Sequence, residues 1–188
     1  MSIQRHFVFV VFNDPTVVGV LDFLHSTMMH TRLPSKPHIT IQGPFDEKVG
    51  ADRIHKISEA LSGDSFFIGN CGYFESNGRC SLFLRAASEN LERVWVKPDF
   101  PKEKFGFNPH ITFYEGGDVE RVKRAHKFLS KNRVELMCSQ FEVVQYVPRQ
   151  MDMFPNEGVA GDTHAISRLI AQGRIAPTFR TGFLSATS

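Results

Sequence analysis

The four residues Pro-His-Ile-Thr occur twice in the chain, once ending at Thr40 and once ending at Thr112. Imidazole titrates near neutral pH, so a neutral ring of one histidine can accept a proton while a protonated ring of another delivers one. Threonine hydroxyls can donate hydrogen bonds to the non-bridging oxygens of a phosphate. The two copies of this motif therefore predict general acid/base catalysis on a phosphodiester by His38 and His110, with Thr40 and Thr112 binding the phosphate.

Each copy of the motif lies at the start of a short segment in which polar and apolar residues alternate as in a β-strand. The segments are His38–Gln42 and His110–Tyr114. Alternate side chains of a strand share a face, so each histidine lies on the same face as the threonine two positions later. Tyr114 shares the face of His110 and Thr112 if the second strand continues that far. We therefore expect Tyr114 to contact substrate, although a tyrosine of the core or rim fits the pattern equally well.

The predicted elements that follow the two copies of the motif also repeat, which indicates that the chain has two similar halves. In both places the predicted strand ends at glycine and an amphipathic helix follows, capped by Asp46 in the first half and by Asp118 in the second. We predict an α+β fold in which the two sheet/helix halves form two lobes. The lobes pack about a pseudo-twofold axis, and the polar strand faces meet across a central cleft.

The remaining predicted elements connect and close these halves. An apolar run predicts a buried first strand, and Asp14 caps a helix that begins at Pro15. Residues 1–148 are assigned to the two-lobed domain, and residues 149–188 form a C-terminal extension that could cover the cleft, bind a partner or be partly disordered. The other predictions are strands Phe7–Phe12, Phe66–Cys71 and Ser81–Arg85, a turn at Glu75–Gly78, a helix at Ser88–Val96, a loop at Lys97–Pro109, one or two strands at Val134–Val147 and a weak helical patch at Ala165–Gln172.

The composition limits the partners and the compartment. The 188 residues carry a formal net charge of +2, which is too close to balance for wrapping duplex nucleic acid but suits a small anionic ligand. The three cysteines lack the spacing of a zinc site, and their odd number argues against a disulfide framework, which favours the cytoplasm. The apolar run near the N-terminus is too short to span a membrane.

The paired H-x-T motifs, each preceded by proline, resemble those of the 2H phosphoesterase superfamily, which includes the LigT-like 2′-5′ RNA ligases and cyclic nucleotide phosphodiesterases. The resemblance covers roughly residues 5–147. It implies a bilobal fold, catalytic roles for His38 and His110, phosphate binding by Thr40 and Thr112, and nucleotide or short RNA substrates. Such substrates carry a 2′,3′-cyclic phosphate, a 2′-5′ linkage or another cyclic phosphodiester. No cofactor or metal is expected, and a monomer is expected.

The main alternative function is a module that binds nucleotide or RNA in the same cleft without catalysis. Histidine-triad hydrolases require three alternating histidines in one strand, and zinc hydrolases require ligand spacings that the sequence lacks. The other histidines show no paired pattern and are interpreted as structural or exposed, and Phe45 and Phe107 are interpreted as packing residues that could alternatively stack on a base.

Overall fold

A computed structural model describes residues 5–96, 106–147 and 161–188 of the chain. The described residues form an α+β fold of antiparallel sheets and packed helices. The strands are β1 (His6–Phe12), β2 (His38–Phe45), β3 (Phe66–Ser76), β4 (Arg79–Ala87), β5 (His110–Gly116), β6 (Leu136–Cys138) and β7 (Phe141–Tyr146). The helices are α1 (Pro15–Met29), α2 (Ala51–Ala60), α3 (Leu91–Val94), α4 (Val119–Lys131), α5 (Ala165–Ala171) and α6 (Phe179–Thr187).

The described strands form two sheets. Sheet A has the strand order β2-β1-β7, and sheet B has the order β5-β4-β3-β6. The apolar run of the first strand is explained by its central place in sheet A, where Val8, Val10 and Phe12 are fully buried. The strands that carry the two H-x-T motifs, β2 and β5, each lie at one edge of their sheet.

The β2 strand is longer than predicted, because Gly43 does not end it. The strand continues to Phe45, which pairs with His6 of β1. Gly43 has a φ of 117°, and a Cβ there would lie 2.9 Å from the His6 carbonyl oxygen. Glycine therefore permits a close crossing of two strands here rather than a turn.

The helix caps agree with the sequence in two of three places. Asp14 Oδ1 accepts from the backbone amides of Thr16 at 2.8 Å and Val17 at 3.1 Å, and the Asp118 side chain caps α4 in the same way. The prediction that Asp46 caps the second helix is wrong. Residues 46–50 form a loop, and α2 begins at Ala51 after Gly50, which makes no side-chain cap bond.

The predicted turn joins two antiparallel strands into a hairpin, and both strands are longer than expected. β3 and β4 are joined at Asn77 and Gly78, whose φ angles of 52° and 74° are those of a type I′ turn. The helix predicted at Ser88–Val96 is only the single turn α3. Of the predicted loop at Lys97–Pro109, residues 97–105 lie outside the described part of the chain.

The described part of the C-terminal extension, residues 161–188, packs on the helices. The helix α5 confirms the weak helical patch, whereas α6 was not predicted. Phe179 and Phe183 of α6 pack their rings against Phe23 of α1 and Phe128 of α4. Residues 149–160 of the extension lie outside the described residues.

Arginine side chains bind the end of α6. The Arg121 Nε donates to the Thr187 carbonyl, and Arg124 Nη2 donates to the Ser188 carbonyl at 3.0 Å. Cationic donors near a helix C-terminus satisfy carbonyls that have no partner within the helix. Across the described ranges, no helix combines the length and the apolar character needed to cross a bilayer.

Gly19 marks the closest contact between α1 and the C-terminal segment, so we predict that Gly19→Ala destabilises the fold. An added Cβ would lie 2.2 Å from the carbonyl oxygen of Asp162. The backbone amide of Asp162 donates a hydrogen bond to the Pro15 carbonyl at 2.9 Å, which holds the segment against α1. Overpacking of this kind costs about 1–3 kcal/mol, more than the roughly 1 kcal/mol that alanine gains in helix propensity. Urea denaturation measures the free energy of unfolding.

The matched control is Gly117→Ala, because a Cβ there meets nothing closer than the Gly78 carbonyl oxygen at 3.6 Å. We expect its free energy of unfolding to stay within about 0.5 kcal/mol of the parent chain. A Gly19→Ala variant as stable as this control would show that the C-terminal segment does not need its close approach to α1.

Candidate active site

A cleft of about 400 Å³ brings the sequence-predicted site residues together. His38 and Thr40 reach it from β2, and His110 and Thr112 reach it from β5. Tyr114 also contributes to its wall. The other lining residues are Phe7, Phe9, His25, Met29, Leu33, Pro34, Ser35, Asn108, Pro109, Phe113, Glu115 and Tyr146.

Each motif strand pairs with its inner neighbour in the same register. In both sheets the histidine lies opposite one residue of the neighbouring strand, and the threonine lies opposite the phenylalanine two positions earlier in that strand. Because directly paired residues share a face of the sheet, each histidine and threonine lies on the face of that phenylalanine. The pairs are Val11–His38 and Phe9–Thr40 in sheet A, and Arg85–His110 and Phe83–Thr112 in sheet B.

A β-bulge follows the threonine in both strands. In β2 the pairing moves from Thr40 directly to Gln42, so Ile41 is the extra residue. In β5 it moves from Thr112 to Tyr114, so Phe113 is the extra residue. A bulge bends its strand and redirects the side chains that follow it. The bulges thus turn the next residue of each strand, Gln42 in β2 and Tyr114 in β5, to the buried face that carries Val8 and Leu82.

The bulge at Phe113 changes the setting of Tyr114. The strand does continue past this residue, but the regular alternation that would put Tyr114 on the face of His110 and Thr112 is interrupted. Tyr114 pairs with Leu82, and its side chain is only 5% exposed. Burial raises the pKa of the Tyr114 phenol above its ordinary value. Because directly paired residues share a face and Leu82 is fully buried, the Tyr114 side chain lies on the core face of sheet B, and the residue borders the cleft from that side.

Both histidine rings are held through the same nitrogen. His38 Nδ1 lies 2.9 Å from the carbonyl oxygen of Lys36, and His110 Nδ1 lies 2.7 Å from that of Asn108. A carbonyl only accepts hydrogen bonds, so Nδ1 carries the hydrogen in each ring. In the neutral tautomer Nε2 is then the basic nitrogen, which gives both histidines the same atom for proton transfer.

The proline before each histidine explains this geometry. The Pro37 carbonyl accepts from the Phe12 amide at 2.8 Å, and the Pro109 carbonyl accepts from the Ala86 amide at 2.9 Å. The proline thus begins the strand pairing through its carbonyl while needing no partner for an amide hydrogen. Proline also restricts the residue before it to extended conformations, and that residue supplies the carbonyl to the histidine.

Aromatic rings on the inner strands support the imidazoles. The His38 ring stacks on Phe9, with ring centroids 4.5 Å apart and an angle of 18° between the planes. The His110 ring lies against Phe83 at 4.6 Å and against Phe74 at 5.3 Å. Ring contacts of this kind, together with the Nδ1 bonds, limit the orientations available to each imidazole.

His25 lines the cleft although no sequence motif marked it as a site residue. It projects from α1, is 7% exposed, and places Nδ1 2.8 Å from the carbonyl oxygen of the bulged residue Phe113. Its Nε2 lies 3.3 Å from Thr31 Oγ1. A sequence signal did exist, because His25 is one helical turn from Leu21 and Met28 on the apolar face of α1. A histidine at such a position needs hydrogen-bond partners in the interior.

Other parts of the chain lie outside the cleft. His6 of β1 accepts a hydrogen bond from Gln145 at 2.8 Å and is not part of the cleft wall. None of residues 161–188 lines the cleft. Among the described residues, no group of three or more histidine, cysteine or acidic side chains is arranged to hold a metal ion.

Comparisons of the chain with protein-family models, with curated proteins and with solved structures gave no match.

We predict that His25→Ala destabilises the fold, because it leaves the Phe113 carbonyl without its buried donor. Removing one partner of a buried hydrogen bond costs about 1–3 kcal/mol. His55→Ala is the matched control, since the His55 side chain is 73% exposed and lies 3.4 Å from Glu59 on the same helix. Urea denaturation should show a loss for His25→Ala and a change within about 0.5 kcal/mol for His55→Ala. Equal free energies of unfolding would mean that the bond of His25 to β5 does not support the bulge.

Proposed function

We propose that this protein is a metal-independent phosphodiesterase that uses two histidines as general acid and base. Its proposed substrate is a nucleotide or short RNA with a 2′,3′-cyclic phosphate, a 2′-5′ linkage or another cyclic phosphodiester. One observation carries the proposal: two imidazoles, each fixed through Nδ1 by a carbonyl two residues earlier, line one cleft together with two threonines.

The proposed reaction needs a proton acceptor on one side of the phosphorus and a proton donor on the other. The neutral histidine takes the proton of an attacking hydroxyl through Nε2 as the new P–O bond forms. The protonated histidine gives its Nε2 proton to the departing oxygen as the old P–O bond breaks. Thr40 and Thr112 donate hydrogen bonds to the non-bridging oxygens, which stabilises the charge that develops there.

We further propose that the two histidines belong to two lobes related by a pseudo-twofold axis. One lobe is built on β1, α1, β2 and α2, and the other on β4, α3, β5 and α4. Three shared details support this relation: the register of the motif strand, the bulge after the threonine, and the strand pairing made by the proline carbonyl. The same relation would bring the two histidines to opposite sides of one phosphate.

The resemblance of the motifs to the 2H phosphoesterases supports the substrate class. In those proteins paired H-x-T motifs act on nucleotide phosphodiesters, and here both motifs are complete. The cysteines of the described chain are free, which supports a reducing compartment such as the cytoplasm as the place of action.

The first test is turnover of a 2′,3′-cyclic nucleotide and of a 2′-5′ dinucleotide, with and without EDTA. We expect turnover that survives chelation and falls at least ~100-fold in His38→Ala and in His110→Ala, the usual worth of general acid/base catalysis. His55→Ala is the control, because this exposed histidine lies outside the cleft. Turnover that is unchanged in both cleft variants would refute the catalytic assignment. Nucleotide binding without any turnover would favour the non-catalytic binding module.

The second test is the dependence of kcat/KM on pH. Because one histidine must be neutral and the other protonated, we expect a bell-shaped profile with its maximum near neutrality. The Asn variants of His38 and His110 should each lose one limb of the bell along with most of the activity. A flat profile between about pH 5 and pH 9, measured where chemistry limits the rate, contradicts the proposal.

A further inference from the structure

The position of sheet B that pairs with His110 carries a cation, whereas the corresponding position of sheet A carries an apolar residue. Arg85 pairs directly with His110, and Val11 occupies the corresponding position opposite His38. Directly paired residues share a face and lie about 5 Å apart between their Cα atoms. Arg85 is exposed, whereas Val11 is 1% exposed. The two similar sheet faces therefore differ in charge on the side of His110.

Arg85 lies in a groove that adjoins the cleft, which we call the side groove. It consists of two cavities of about 440 Å³ and 160 Å³ that share Arg85, Phe107 and Asn108. Asn108 also lines the cleft, so the three spaces meet at this residue. Phe83 and Phe74, which contact the His110 ring, line the larger cavity. The groove and the cleft thus share Asn108, and the larger cavity of the groove borders the two rings that contact His110.

The side groove offers the groups that recognise a nucleotide. Arg85 can bind a phosphate through two parallel hydrogen bonds, and the Phe107 side chain, 37% exposed, offers an aromatic surface on which a base can stack. Asn108 is only 9% exposed, and no donor among the described residues reaches its Oδ1. A buried acceptor of this kind is expected to receive a donor from a ligand or from water.

We propose that the side groove binds a second nucleotide, so that the preferred substrate is an oligonucleotide with a further phosphate on the His110 side of the reacting one. This inference rests on the proposed phosphodiesterase function and narrows its substrate class. The reacting phosphodiester sits between His38 and His110, the neighbouring phosphate binds Arg85, and the attached base stacks on Phe107. A cyclic mononucleotide fills only the cleft.

The test compares two substrates with the same reacting group, a nucleoside 2′,3′-cyclic phosphate and a dinucleotide that ends in the same 2′,3′-cyclic phosphate. We expect kcat/KM to be at least about tenfold higher for the dinucleotide, mainly through a lower KM, as one charge-assisted phosphate contact provides. Raising the salt concentration should reduce this preference, because it rests on an exposed cation. If the protein acts on 2′-5′ linkages instead, a dinucleotide and a trinucleotide joined by them make the same comparison.

Variants connect the preference to the groove. Arg85→Gln should bring the ratio of the two kcat/KM values close to one, and Arg85→Lys should restore part of it. Phe107→Ala should lower the ratio severalfold, whereas Arg133→Gln, which removes an exposed arginine outside the groove, should leave it unchanged. A parent chain with no preference for the longer substrate, or a preference that Arg85→Gln leaves intact, overturns the second site while the phosphodiesterase stands. Absence of turnover with every substrate overturns the phosphodiesterase itself.

Discussion

The antiparallel register between each motif strand and its inner neighbour is the constraint on which the site depends. Because side chains alternate along a strand, a slip of one residue would turn every histidine and threonine of the motif away from the cleft. The register is fixed by burial, since Ile39 and Ile111, which alternate with the polar residues, are at most 1% exposed. The same core contacts that stabilise the sheets therefore also orient the polar groups of the cleft.

Local hydrogen bonds further restrict the orientation of the side chains that the register places in the cleft. The carbonyl two residues before each histidine fixes the tautomer, and the proline between them makes that carbonyl available. The bulge after each threonine turns the next side chain to the buried face, and His25 extends from α1 to bind the backbone of one bulge. The geometry of the cleft thus depends on backbone features that are shared by the two sheets.

The differences between the two sheets matter as much as their likeness. Gln42 and Tyr114 occupy corresponding positions after the bulges, yet Gln42 bonds to the Val94 carbonyl and to Arg53, whereas Tyr114 contributes to the cleft wall. Val11 and Arg85 differ in the same way opposite the histidines. A cleft built from two similar strand pairs can therefore still bind a ligand in one direction only, because the groups around the histidines are not duplicated.

The sequence by itself predicted that His38, Thr40, His110 and Thr112 belong to one site, and all four line the cleft. The prediction needed no coordinates, because it rests on a repeated motif whose strands have period-two alternation. The sequence also predicted most strands and two helix caps, which depend on neighbouring residues alone. Only the tertiary structure decided that Gly43 continues a strand, that α2 begins after Gly50 and that α6 packs on α1 and α4. It also decided that His25 and Asn108 line the cleft and that Arg85 pairs with His110. The reason is physical: strand pairing, bulges and cavities join residues far apart in the chain, and no local pattern records which of them will meet.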